Sequence, residues 1–177
     1  VALVIGVEKF ADVIAPAHET AASTLADSEY ESVHGLTPAG QAALLTRRYW
    51  HEFNLPVDCL AGFTLTAHAN AVGNKHAYFR KSTSLEQYHQ AEMSTDPLKS
   101  YDIAPYVDGA AALVLTRSDH LPSSYPHAHI RVAASASVTD TLALHSRPDL
   151  LSFTAACKSV ETVLNRANLT REQIDLF

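Results

Sequence analysis

The residues Gly109-Ala-Ala-Ala-Leu-Val-Leu115 form an uninterrupted apolar run directly behind Asp108, and few positions in a fold accept such a run. A strand with one wet face alternates polar and apolar residues, whereas a strand apolar at every position suits a central place with both faces covered. The run therefore predicts a buried central strand. Val1-Ala-Leu-Val-Ile-Gly-Val7 reads the same way, as a second buried strand. Asp108-Gly109 reads as a tight turn, in which glycine tolerates a positive φ and the aspartate bonds nearby backbone N–H groups. Ile174-Asp-Leu-Phe177 reads as the first residues of a further strand. Core strands at both ends leave backbone groups that need partners from elsewhere, so the expectation is a segment of something larger.

Helices fill the intervals. Residues 8–36 are polar, with Pro16 and little periodicity, and read as loop. Thr37-Pro38 supplies an N-cap with proline at the first helical position, and Ala42, Leu45, Tyr49 and Phe53 follow at helical spacing, about four turns. Leu55-Pro56 ends that helix and starts another, with Leu60, Phe63 or Thr64, Ala67 and Ala71 on one face and Gly73 near its end. The two are expected to pack as a hairpin. A polar, basic stretch at 74–81, a short helix from Ser84 to about residue 92 and a turn-rich stretch at 96–108 come next. A proline-containing loop at 122–126 and a strand at His129-Ile-Arg-Val-Ala-Ala134 follow. Phe153, Ala156, Val160, Val163, Leu164 and Ala167 step by three and four, which predicts an amphipathic helix over 150–168. Thr170-Arg-Glu-Gln173 has capping-box spacing. Strands alternating with helices indicate an α/β layered fold.

At 177 residues and 47% hydrophobic content the chain can bury a core. A formal charge of −6 argues against a nucleic-acid partner, which would need a surplus of Lys and Arg on one face. No run of eighteen apolar residues and no signal-peptide pattern occurs, so the chain reads as soluble, cytoplasmic and without a membrane partner. Cys59 and Cys157 lack any CxxC spacing, and each reads as a small buried hydrophobe inside a helix. His127-x-His129 is a conceivable ligand pair, but no nearby Cys, Asp or Glu completes it, so no metal is expected. Gly-x-Ser-x-Gly, phosphate-loop and dinucleotide glycine patterns are absent.

Three blocks together resemble the thiolase superfamily, in particular archaeal-type acetyl-CoA acetyltransferases and sterol-carrier-type thiolases. The first is Phe63-Thr-Leu-Thr-Ala-His-Ala-Asn-Ala71 with Asn74 and Phe79-Arg80. The second is Asp96-Pro-Leu98, Asp102 and Pro105-x-x-Asp108-Gly-Ala-Ala-Ala112. The third is Thr139-Asp-Thr-Leu-Ala-Leu144 with Arg147-Pro-Asp-Leu150, leading to Leu169-Thr170 and Ile174-Asp175. The resemblance implies a layered α/β/α/β/α fold, here incomplete, with a helical loop domain inserted over coenzyme A. Residues 1–10 would end the first thiolase-like half, 11–105 would form the loop domain and its connections, and 106–177 would return to the core and begin the second half.

The resemblance also implies an enzyme that acts on acyl-CoA through a cysteine thioester, with coenzyme A thioester as substrate and no covalently held cofactor. Its cysteine motif and histidine motif are not found among these residues, so no catalytic residue is named here, and the chain alone is expected to be inactive. Arg80 and Lys81 are candidates for the coenzyme A phosphates, although they would serve equally as a solvated basic pair. Ala104, beside Pro105, stands where the family often carries a serine along the pantetheine arm, and alanine supplies no hydroxyl. His68, Asp108 and Gly109 match structural motif positions, and His68 is expected to order neighbouring backbone. Asn74-Lys-His76 departs from the family's usual Asn-Pro-Tyr. The implied partners are acyl-CoA and a second copy in a homodimer or larger homo-oligomer. The departures also motivate an alternative, a non-catalytic lipid-carrier or scaffold subunit working with a further protein.

Overall fold

The computed structural model describes residues 1–121, 124 and 127–176. In chain order its elements are strand β1 (Ala2–Glu8), helices α1 (Ala15–Ser23), α2 (Pro38–Phe53), α3 (Ala61–Ala71) and α4 (Leu85–Gln90), then strands β2 (Met93–Thr95), β3 (Leu98–Lys99) and β4 (Gly109–Leu115), and helix α5 (Thr154–Ala167). The chain divides into two bodies, Val7–Ala110 and Val1–Gly6 with Ala111–Phe177.

In the Val7–Ala110 body, local chemistry accounts for most boundaries. The Thr37 side chain accepts the Gly40 N–H at 3.1 Å and Pro38 opens α2, as its N-terminal signals require. Asn54 closes it in the left-handed region at φ 48°, its short side chain tolerating a conformation most residues avoid. Ser84 and Gln87 form a reciprocal capping box on α4. β2 and β3 pair antiparallel, Met93 opposite Lys99 and Thr95 opposite Leu98, with an irregularity between. The buried residues are Ala26, Ala43, Ala61, Pro97, Leu98, Tyr88, Thr64 and Glu31, most of them small or hydrogen-bonded. The Glu31 carboxylate is satisfied by the Asp27 N–H at 2.9 Å and the Gln41 amide at 3.0 Å, which ties the turn at 27–31 to α2.

Several expectations are corrected in this body. Residues 8–36 are not all loop, since α1 and a 3-10 turn at Ser32–His34 form there; Pro16 in the first turn of α1 is the start signal. α3 begins at Ala61 rather than at Leu55-Pro56, because 56–60 are spent in hydrogen-bonded turns, Cys59 N–H to Pro56 O and Ala61 N–H to Asp58 O. The expected α2/α3 hairpin gives way to α2 against β2 and α3 against α4. The exposed Arg47–Asp96 ion pair also joins α2 to the β2–β3 turn. The buried face of α3 carries Ala61 and Thr64, while Phe63 points outward. The turn-rich stretch contains the short strand β3 and a 3-10 turn at Ser100–Asp102.

In the second body β1 and β4 pair with each other as a two-stranded sheet, so both predicted strands exist. Neither is buried: every residue of both is exposed. An all-apolar run shows that a strand is suited to cover on both faces, but the cover itself needs further layers. The expected strand at 129–134 is absent and Ile130 is 94% exposed; β1 and β4 pair only with each other, and the segment joins neither of their outer edges. α5 runs over Thr154–Ala167, shorter at its start than predicted, and Asn168 caps it at φ 54°. The Thr170/Gln173 capping box forms as expected. Cys157 is exposed on α5 and Cys59 is half-buried in a turn, which corrects the reading of both as buried helical residues. Residues 174–176 form no strand, and Phe177 and most of the expected loop at 122–126 lie outside the described residues.

Candidate functional site

The candidate site grows from α3 and the loop that follows it. His68 lies on the inward side of α3, one turn beyond buried Thr64, whose hydroxyl donates to the Tyr101 carbonyl at 3.2 Å. The His68 ring stacks on Phe79 at 5.7 Å between centroids and meets Tyr101 edge-on at 5.4 Å. Its Nδ1 lies 3.0 Å from the Lys81 carbonyl oxygen. A carbonyl only accepts, so Nδ1 carries the proton and donates. His68 thus ties down the Lys81 backbone beside a cavity of about 510 Å³ that Arg80 and Lys81 help to line.

The cavity is lined by His68, Tyr78 to Thr83, Gln87 and Tyr101. Its lining contains no carboxylate and no aliphatic side chain. Arg80 reaches only the Lys75 carbonyl, at 3.5 Å, and no ion pair engages Arg80 or Lys81 among the described residues. Gln87 uses its side-chain carbonyl oxygen for the Ser84 N–H at 3.0 Å and the Thr83 hydroxyl at 3.3 Å. That leaves its amide group as a donor. The arrangement presents donors and positive charge beside aromatic faces, a chemistry suited to anions carried on flat groups.

Behind the cavity wall Tyr88, only 2% exposed, donates its hydroxyl to Asp102 at 2.9 and 3.2 Å from the two carboxylate oxygens. Asp102 also accepts the Lys99 N–H at 2.8 Å. The Lys99 ammonium donates to the carbonyls of Tyr88 and His89 and lies 5.3 Å from the Tyr88 ring centroid. Burial, and then the Asp102 carboxylate, hold the Tyr88 phenol well above its ordinary range. Asp102 directly follows the cavity residue Tyr101, and Tyr88 directly follows Gln87, so this bond braces two lining positions at once.

The other sequence candidates lie elsewhere. Ala104 and Pro105 are exposed in the segment after the 3-10 turn and do not line the cavity. Asp108 does bond backbone N–H groups, but remote ones: Phe10 and Ala11, each at 2.8 Å. These bonds, that from Ala11 first, hold its carboxyl below the usual carboxylate range. Next to it Phe10, His18 and Tyr106 cluster at 4.9–5.4 Å, with His18 Nε2 2.9 Å from the Phe10 carbonyl. Gly109 is not a positive-φ turn residue; it opens β4, and a Cβ there would meet nothing within 4 Å. Steric demand therefore does not explain this glycine. Sequence reasoning does not find Tyr101 or the Tyr88–Asp102 pair. The spacing Ser84-x-x-Gln87 marks the start of α4, but no linear signal brings Tyr101 beside His68.

Among the described residues no group of three or more His, Cys, Asp or Glu is gathered for a metal ion, and no helix is long and apolar enough to cross a membrane.

No protein-family model matches the sequence. Individual proteins do. The chain is 34% identical over 171 residues to the acetyl-CoA acetyltransferase of Methanothermobacter thermautotrophicus, covering 97% of this chain and 44% of that protein. It is 30% identical over 121 residues to the benzoylsuccinyl-CoA thiolase subunit BbsB of Thauera aromatica, covering 68% of this chain and 31% of that protein. Among solved structures, the Ltp2-ChsH2(DUF35) aldolase superposes with a TM-score of 0.78 at 20% identity, covering 96% of this chain and 45% of that chain. The chain is thiolase-like, with the α/β fold of that superfamily. Within it, a similarity that runs almost end to end is to an acetyl-CoA acetyltransferase. The chain spans less than half the length of these relatives.

Proposed function

We propose that the protein carrying this chain is a thiolase-type acyltransferase, moving an acyl group between coenzyme A and a carbon or thiol acceptor through a cysteine thioester. The observation that carries the reading is the similarity to an acetyl-CoA acetyltransferase over 97% of the chain. In this reading the Val7–Ala110 body supplies cover for coenzyme A, and Arg80 and Lys81, free of carboxylate partners among the described residues, meet its phosphates. Ala104 contributes no hydroxyl to the pantetheine arm, so contacts there fall to backbone groups. The nucleophile is assigned outside these residues, and activation of such a cysteine needs a base or a helix N-terminus beside it. The working form is a homodimer or larger homo-oligomer in the cytoplasm.

The test is intact-mass measurement of the full-length protein after brief exposure to acetyl-CoA. One acetyl adduct per active chain is expected, mapped by peptide digestion to a cysteine other than Cys59 or Cys157. Absence of an adduct on any cysteine, with acetyl-CoA and longer acyl-CoA alike, removes the basis of the reading.

A further inference from the structure

Residues 103–107 link the 3-10 turn at Ser100–Asp102 to Asp108 within the Val7–Ala110 body, and both ends of the link are fixed. Asp102 is held by the Tyr88 hydroxyl and the Lys99 N–H, and Asp108 by the N–H groups of Phe10 and Ala11. The link sets off extended, with Ile103 at φ −117° and ψ 128°, and Pro105 steers Ala104 away from the helical region. Residues two apart lie on one side of an extended chain, so Ala104 and Tyr106 share a side. The Tyr106 ring is set against Phe10 and His18, at 5.4 and 4.9 Å between centroids. His18 is itself tied to the Phe10 carbonyl through Nε2 at 2.9 Å. The ring is thus placed, yet Tyr106 is 52% exposed, and among the described residues no hydrogen bond engages its hydroxyl. A phenol fixed at its ring and free at its oxygen is a preorganised donor and acceptor, with little side-chain freedom left to lose on binding. Alanine at 104 offers no polar side-chain group to a ligand lying along this side, and Tyr106 does.

We infer that Tyr106 is a substrate-binding residue, its hydroxyl making the hydrogen bond to an amide of the thioester's pantetheine arm that Ala104 has no side-chain group to make. Phe10 and His18 place the ring, and the phenol supplements the backbone contacts at Ala104. The inference rests on the acyl-CoA reading for the identity of the arm, and goes beyond it in moving the polar side-chain contact two residues along the chain.

Steady-state kinetics with acetyl-CoA, and titration calorimetry with coenzyme A and with adenosine 3′,5′-bisphosphate, which lacks the arm, test this on the full-length protein. Tyr106→Phe deletes only the hydroxyl and keeps the half-exposed ring, so the fold should tolerate it. It is expected to raise the acetyl-CoA KM and to weaken coenzyme A about three- to tenfold, the range of one neutral hydrogen bond, with kcat within about twofold. Affinity for the bisphosphate should not change. Ala104→Ser in the Tyr106→Phe background returns a hydroxyl to the same side of the chain and is expected to restore most of the lost KM, which a merely structural role for Tyr106 would not allow. Wild-type KM and coenzyme A affinity in Tyr106→Phe, a loss shared equally by the bisphosphate, or no restoration by Ala104→Ser overturns the inference. The acyltransferase reading is judged separately. Acyl-enzyme formation with an unchanged KM in Tyr106→Phe sinks the Tyr106 assignment alone. Absence of any acyl adduct, with coenzyme A and not the bisphosphate weakened in Tyr106→Phe and restored by Ala104→Ser, sinks the acyltransferase reading alone.

Discussion

Replacing Tyr88 with phenylalanine removes one hydroxyl and keeps the buried ring. That hydroxyl is shared between the two oxygens of Asp102, so one charge-assisted hydrogen bond is lost, a class that contributes about 1.5–3 kcal/mol. Asp102 is half-buried and retains the Lys99 N–H, so water can partly replace the phenol. The expected loss is therefore near the lower end, about 1–2 kcal/mol. Tyr88→Ala would add the loss of a buried aromatic ring, about 3–5 kcal/mol. Urea unfolding followed by far-UV circular dichroism measures both. A second readout follows from ionisation. The phenol pKa is raised in the fold, so the contribution is present in full below about pH 10, the unfolded value, and is lost as pH rises through the raised folded value. Wild type should thus lose stability above pH ~10 more steeply than Tyr88→Phe. In an ultraviolet titration Tyr88 should resist ionisation until the alkaline transition. A Tyr88→Phe variant within about 0.3 kcal/mol of wild type, with the same alkaline slope, would refute the brace described here.

The remaining predictions concern the two ends of the site body and the helix caps. Asp108→Ala should raise hydrogen exchange at the Phe10 and Ala11 amides, and Asp108→Asn, which keeps an acceptor oxygen, should do so less. Because the Asp108 carboxyl is held below its ordinary range, the clasp is present above that range and lost as pH falls through the lowered value, which carbon NMR of the carboxyl can follow. Asn54→Ala and Asn168→Ala should each cost about 1 kcal/mol, since alanine resists φ values of 48° and 54°, while glycine at either position should be near neutral; thermal melts distinguish the two.

The helices with capping chemistry are legible in the order of residues. Thr37-Pro38, the Ser84 start of α4 and the Thr170/Gln173 box each satisfy orphan N–H groups with their own side chains, a requirement confined to a few consecutive residues. α1 is not legible in this way, because its start rests on Pro16 with no side-chain cap and its residues lack a clear apolar stripe. The 129–134 segment has the residues of a strand without being one, since strand-like residues do not by themselves bring a segment alongside a partner edge.

For the site, the sequence by itself determined the thiolase-like family and the basic pair Arg80-Lys81, since both depend on residue order alone. Tertiary structure decided which groups meet: Tyr101 beside His68, Tyr88 against Asp102, Asp108 on the amides of Phe10 and Ala11. It also separated Ala104 and Pro105 from the cavity and left β1 and β4 exposed despite their apolar runs. The physical reason is range. Caps, turns and apolar periodicity act over one to four residues, whereas burial, cavity lining and carboxylate satisfaction depend on groups brought together across tens of residues of chain.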